Sequence, residues 1–423
     1  MRRLMTALIL VLGLGLTTAG VAGATSPAEL EARIKALEQS LKQLKGQLEQ
    51  VRQQQQQDQA AVAAASKAKL PAWAERMTFF GDLRLRYEHT SYDDTIINGK
   101  NTVKNGLDRF RLRLRFGVRS QIHEDVELGM RMTAGSDSDP SSTNQTMGNY
   151  FGEITTWGVD QAYLKWTPSL VPAKAATFSF GKVPQPLLTS KVIWDTDVVP
   201  EGGFLTWTFN KGGQVQPFIT GAMLTVQQSG EFNDNILAPV LQAGARGKLG
   251  AWRFEGAAGY TDWNKLGDPG LVPPIPHGNP TWTSGGATRM SSFKVWDVYA
   301  KASFAFSPQG NVGLWGHYLR NTDATGPYDG KDTGYGVAAF VNYGKWKFEV
   351  WYKNIEANAT PGFIADSDST YVNRKGWSVD VQYKMWQYGR LQLTYYNTEP
   401  EDASISGATN KSQTFFVNTI FQF

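Results

Sequence analysis

Residues 107–120 read LDRFRLRLRFGVRS, and this stretch decides the fold class. Arg109, Arg111, Arg113, Arg115 and Arg119 alternate with Phe110, Leu112, Leu114, Phe116 and Val118. On a β-strand that spacing puts every guanidinium on one face and every apolar group on the other. Wound as a helix, the same residues scatter around the axis and leave no apolar stripe to bury. A strand wholly apolar on one side and wholly cationic on the other suits a barrel with lipid outside and water inside.

The flanking chain extends the pattern. From Met77 to Phe423 the period of two persists, and it predicts sixteen strands. They are expected at 77–88, 107–121, 124–134, 159–167, 176–183, 203–209, 214–226 and 239–249. The second eight are expected at 251–262, 293–306, 310–320, 333–343, 345–355, 373–385, 388–397 and 412–423. Connections alternate between short turns, such as Ser307-Pro308-Gln309, and long loops, such as 263–292. That alternation, with an even strand number, is the mark of a bacterial outer-membrane barrel. The expected fold is therefore all-β, a transmembrane antiparallel β-barrel of about sixteen strands over residues 77–423.

Upstream, Arg2 and Arg3 precede an apolar run from Leu4 to Leu16, and Ala22-Gly23-Ala24 forms an A-x-A cleavage site. Residues 1–24 thus read as a signal peptide. In 25–57, Leu30, Ile34, Leu37, Leu41, Leu44, Leu48 and Val51 step alternately by four and three, the a/d seam of a short coiled-coil helix. Residues 58–76 read as a helical or flexible linker.

Composition narrows the function. The 423 residues hold 14 Trp, 16 Tyr, 22 Phe and 43 Gly, which suits aromatic girdles and tight turns. No apolar run of 18 residues follows the N-terminus, so a helical membrane protein is excluded. Without cysteine there is neither a disulfide framework nor a thiolate metal site. A formal charge of only +4 argues against a nucleic-acid partner. His89, His123, His277 and His317 lack metal-ligand spacing, no G-x-S-x-G elbow occurs, and Asp332-Thr333-Gly334 has no second copy. No Ser/His/Asp set stands out, and neither an enzyme nor a cofactor or metal protein is expected.

A Lys or Arg facing lipid at mid-membrane costs about 2–4 kcal/mol, so parity assigns the charges to the lumen. Arg84, Arg86, the five arginines of 107–120, and Arg131 then line the pore. Eleven more bases follow by the same rule, from Lys165 to Arg390. Only Asp82, Glu88, Glu127, Glu255, Asp297, Glu349 and Asp380 share that face, so the expected lumen is cationic. With a turn near His123, Arg115 is expected beside Arg131 and Arg119 beside Glu127, to within a two-residue slip. Asp93, Asp94, Asp137, Asp139, Asp366, Asp368, Glu399, Glu401 and Asp402 are expected in outer loops, where solvation or cation-bridged contact with lipopolysaccharide would occupy them.

The strings GDLRLRYE (81–88), VDQAYLKW (159–166) and FGKVPQP (180–186) resemble the putative-porin and phosphate-selective-porin groups. So does a last strand with Phe415, Val417, Thr419, Phe421 and Phe423 on one face. The resemblance implies a passive outer-membrane channel, a trimer, and a third loop that folds inward to narrow the pore. That loop carries Lys191, Asp195, Asp197 and Glu201, and its acids are expected to face the arginine wall. The reading for function is a porin for small anions, such as phosphate, sulfate or selenite-like oxyanions, with lipid and lipopolysaccharide around it. Small carboxylated solutes are an alternative, as is a scaffold or sleeve for a periplasmic or electron-transfer partner.

Overall fold

The computed structural model describes residues 27–67, 75–92, 96–97, 100–101, 106–135, 141–148, 157–228, 235–405 and 411–423. The signal segment and Asp93, Asp94, Asp137 and Asp139 lie outside these residues. One unit, up to Glu75, contains helix α1 (Pro27–Lys67). The helix continues past residue 57 because the Ala-rich stretch that follows has the highest intrinsic helix propensity. Ile34, Leu37, Leu41, Leu44, Leu48 and Val51 are all at least half exposed on it.

The second unit, Arg76–Phe423, is the barrel. Its first strands are β1 (Met77–Tyr92), β2 (Leu107–His123), β3 (Val126–Ala134), β4 (Trp157–Trp166) and β5 (Ala176–Lys182). Then come β6 (Glu201–Thr208), β7 (Val215–Gln227), β8 (Ile236–Leu249), β9 (Trp252–Asp262) and β10 (Lys294–Ser307). The last are β11 (Gly310–Asn321), β12 (Thr333–Tyr343), β13 (Trp346–Ile355), β14 (Arg374–Trp386), β15 (Gly389–Pro400) and β16 (Ser412–Gln422). Each strand pairs antiparallel with its neighbours in sequence, and β1 pairs with both β2 and β16. The sheet therefore closes with sixteen strands, as the period-two pattern predicted. All strand ends fall within four residues of expectation; the largest extension carries β1 on to Tyr92.

The outward face explains the aromatic content. Near the short turns, Phe79 stacks on Phe116, Trp166 on Phe178, and Phe306 on Tyr343. Toward the long loops, Tyr87 meets Phe110, Tyr260 meets Trp296, and Trp377 meets Tyr395. Between these two girdles lie exposed aliphatics such as Leu85, Leu241, Leu314, Val337 and Val350. This is the banding of a membrane-spanning barrel, with the short turns on the periplasmic side.

The interior is not uniformly polar. Inward residues of β7 to β13, among them Phe218, Leu224, Val240, Tyr299, Trp315 and Trp351, form one apolar cluster with Leu188, Val192, Ile193, Trp194 and Val198. Those last five belong to the loop between β5 and β6, which runs into the lumen instead of over the rim. Two paired glycines let it do so. Gly181 and Gly202 stand opposite each other at its base with φ of 112° and 144°. A Cβ on Gly181 would lie 2.2 Å from the Ala162 carbonyl oxygen, and one on Gly202 would lie 2.1 Å from that of Met223. Replacing Gly202 by Ala is expected to displace the loop and lower the yield of folded barrel, measured as the heat-modifiable fraction on a gel. Wild-type yield would show that the loop needs no glycine at its base.

Candidate functional site: a loop-braced arginine wall

Three loops converge on β1 and β2 inside the barrel. On the wall itself, Arg84 stands directly opposite Arg113, and Arg86 opposite Arg111. Like charges so placed repel, and carboxylates are interleaved to offset this. Glu88 accepts from Arg109 at 2.6 Å and from Arg111 at 3.4 Å. Asp82 accepts from Arg113 at 2.8 Å and from Arg115 at 2.5 Å.

The remaining acids come from loops. In the β5–β6 loop, Asp197 accepts from Arg113 at 3.0 Å, from Arg115 at 3.2 Å and from Thr143 at 3.1 Å. From the β13–β14 loop, Asp368 takes Arg86 in a two-pronged pair at 2.8 and 3.1 Å. Arg86 also donates to Asn418 at 2.8 Å and stacks over Phe416. Arg84, buried among them, donates to the side-chain oxygen of Asn144, and no carboxylate pairs with it among the described residues. Six guanidinium groups (Arg84, Arg86, Arg109, Arg111, Arg113 and Arg115) thus face four carboxylates.

The loops also hold one another. The Asp195 amide donates to the Ile364 carbonyl at 2.7 Å, and Ser367 donates to the Asp195 carboxylate through both its amide and its hydroxyl. Burial, then the neighbouring Asp366 and Asp197, push the Asp195 carboxyl well above its usual range. Asp197 goes the other way: burial opposes its charge, but Arg113, Arg84 and Arg115 outweigh burial and hold it low. Arg86 does the same for Asp368 against its burial. Across the lumen, Lys191 pairs with Glu349 of β13, and the Gln242 side-chain amide clasps both backbone groups of Leu188, at 2.8 and 2.9 Å.

Several expectations need correcting. Glu201 opens β6 and pairs with Lys182 at 2.9 Å, so it takes no part in the loop's contact with the arginines. The β2–β3 turn falls at Glu124–Asp125, not on His123, and this sets the register two residues from the expected one. Arg115 consequently faces Thr133, Arg119 faces Gly129, and Arg131 faces Gly117. Arg131 instead pairs with Asp160 at 2.7 Å. Parity had placed Asp160 outward, but a bulge between β3 and β4 turns it in, as bulges do. Arg119 lies over the Phe80 ring at 4.7 Å. Asp366 and Asp368, expected in an outer loop, lie inside the barrel. The arginine wall is therefore far better compensated than a strand-only count implied.

A Ser/His/Asp set does exist, invisible in the sequence because its members are scattered. His317 Nδ1 lies 2.9 Å from Ser190 Oγ, and Nε2 lies 3.1 Å from Asp297. The Ser190 amide also donates to Nδ1, so the ring proton belongs on Nε2, toward Asp297. Ser190 and His317 are buried, and His317 and Asp297 line a cavity of about 40 Å³. Through these bonds the ring ties the inner loop to β11. Among the described residues no cluster of His, Asp or Glu could hold a metal ion.

A family model described as "Putative porin" matches residues 17–106 and 93–262, more than half of the chain. The chain belongs to this porin family. Its place is accordingly the bacterial outer membrane, and its class a channel. No curated protein matches it. Among solved structures, an engineered triple mutant of the Rhodopseudomonas blastica porin aligns at 11% identity and TM-score 0.44, covering 82% of this chain and all of its own. In-vitro folded OmpT, an outer membrane protein of Vibrio cholerae, aligns at 11% identity and TM-score 0.46, covering 82% of this porin and 97% of itself.

Asp197 is the tie between the inner loop and the wall. Asp197→Asn removes one buried carboxylate from beside Arg113 and Arg115, and breaking such a pair costs about 3–5 kcal/mol. The expected result is a noisier single-channel current with stronger anion preference. A quiet channel of unchanged selectivity would show that Asp197 does not brace the pore.

Proposed function

We propose that this porin passes small anionic solutes, inorganic oxyanions and small carboxylates alike. The observation that carries the reading is Arg84: a buried guanidinium on the loop-braced wall whose partner is a neutral amide. Around it six guanidinium groups outnumber the four carboxylates that pair with them. In a low-dielectric channel such a surplus concentrates counter-ions and speeds their access. Arginine's planar fork also suits the paired oxygens of phosphate, sulfate or carboxylate. The sleeve alternative loses ground because the porin's own loops and apolar side chains occupy much of the lumen.

Replacing Arg111, Arg113 and Arg115 together would strand Asp82 and Asp197, so a cleaner probe is Arg84→Gln. It removes one charge and breaks no ion pair. In planar bilayers under a salt gradient, the variant's reversal potential is expected to move toward zero, most at low salt where screening is least. An unmoved potential would place selectivity elsewhere.

The oligomer and the helix belong to the same reading. Residues 1–24 serve as the signal peptide, and the exposed seam from Ile34 to Val51 pairs with other copies as a coiled coil supporting a homotrimer. Outer-membrane lipid and lipopolysaccharide surround the barrel. Removing residues 27–67 is expected to convert trimers to monomers by light scattering while the barrel keeps its heat-modifiable fold. Trimers that survive the deletion would put the association in the barrel wall.

A further inference from the structure

Across the wall pairings among the described residues, four set two cations directly opposite each other. Two are on the arginine wall, Arg84 with Arg113 and Arg86 with Arg111. The other two lie at the short-turn end: Lys248 with Arg253, and Lys384 with Arg390. The wall pairs are relieved by the protein's own acids, since Asp82 and Asp197 take Arg113, Glu88 takes Arg111 and Asp368 takes Arg86. At the short-turn end, among the described residues, no ion pair joins a carboxylate to any of the four cations Lys248, Arg253, Lys384 and Arg390.

The Lys384–Arg390 pair is the barer of the two. It opens on a cavity of about 370 Å³ whose lining includes Lys345 and Lys347, with the amides of Asn342 and Gln382, and contains no acid. Arg390 Nε is buried there without a hydrogen-bond partner. Lys347 reaches Glu349 at 3.2 Å, but among the described residues no ion pair joins Lys345, Lys384 or Arg390 to a carboxylate. By contrast, the cavity beside Lys248 and Arg253 contains Glu255, which already pairs with Lys301 at 3.5 Å.

We propose that Lys384, Arg390, Lys345 and Lys347 form an anion-binding site at the periplasmic mouth, filled by a small oxyanion of the phosphate type. Two facing cations and an orphaned guanidinium N–H are stabilised by whatever anion settles between them. Arg390 offers the planar fork, the lysines supply point charges, and the amides give neutral donors. On the arginine wall the chain itself provides the bridging anion; here the solution must. The site deepens the anion-channel reading and rests on it for a lumen open to solutes.

The test uses full-length porin in detergent, with inorganic phosphate as the probe and chloride holding the ionic strength constant. Phosphate should broaden its own phosphorus NMR line with the wild type and raise the unfolding temperature. In K384Q/R390Q phosphate affinity should fall by about tenfold, the scale of losing one or two charge-assisted hydrogen bonds. The variant should fold in chloride at least as well as wild type, since it loses a repulsive pair. An equal phosphate response in K384Q/R390Q and wild type, or a wild type that does not prefer phosphate over chloride, would overturn the site. Binding is read without transport, so a channel that shows no anion preference yet loses phosphate in K384Q/R390Q would refute the channel reading and keep the site.

Discussion

Closure of the sheet is the constraint from which the rest of this porin follows. In the hydrocarbon layer an unpaired backbone N–H or C=O has no water to turn to, so a spanning sheet must leave no edge. Here β1 meets β16 through eleven register pairs, from Asp82 opposite Gln422 to Tyr92 opposite Ser412. Once the ring is closed, side chains have only two destinations, and the alternation of each strand sends every second residue into a confined lumen. The arginines of 107–120 are therefore forced together in a space where water alone cannot screen them.

That crowding explains the loops. Stacking Arg84 on Arg113 and Arg86 on Arg111 is unfavourable unless acids come between. Wall carboxylates Asp82 and Glu88 supply part of the compensation, and Asp197 and Asp368 arrive from two loops that would otherwise lie over the rim. The same attraction that neutralises the wall thus draws the loops inward and narrows the channel. On the opposite side of the lumen, apolar packing of Val192, Ile193 and Trp194 against Trp315 and Trp263 anchors the loop by burial rather than charge. One loop is consequently held from two sides by two different forces, with the paired glycines at its base permitting the turn.

Strand number, closure, which residues face lipid and which face water, and the cationic bias of strands β1 and β2 were legible in the sequence. Each depends on a local period of two, and local alternation survives whatever the distant parts of the chain do. The bulge that turns Asp160 inward was not legible, because one extra residue in a strand leaves no signature in a pattern that allows either parity on each side. The inward path of Asp366 and Asp368 was equally hidden: nothing in a loop's composition says which side of a barrel rim it will take.

The sequence by itself determined that this chain spans a membrane as a barrel and that its arginines must face water, since lipid forbids the alternative. Only the tertiary structure decided how much of that positive charge remains available. Compensation depends on contacts between residues far apart in the chain, such as Arg86 with Asp368 and Arg113 with Asp197, and Coulomb energy falls with distance in space rather than in sequence. Thus the arginine wall, which dominates the sequence, is mostly paired, while Lys384 and Arg390, unremarkable as letters, meet face to face because β14 and β15 bring them into register.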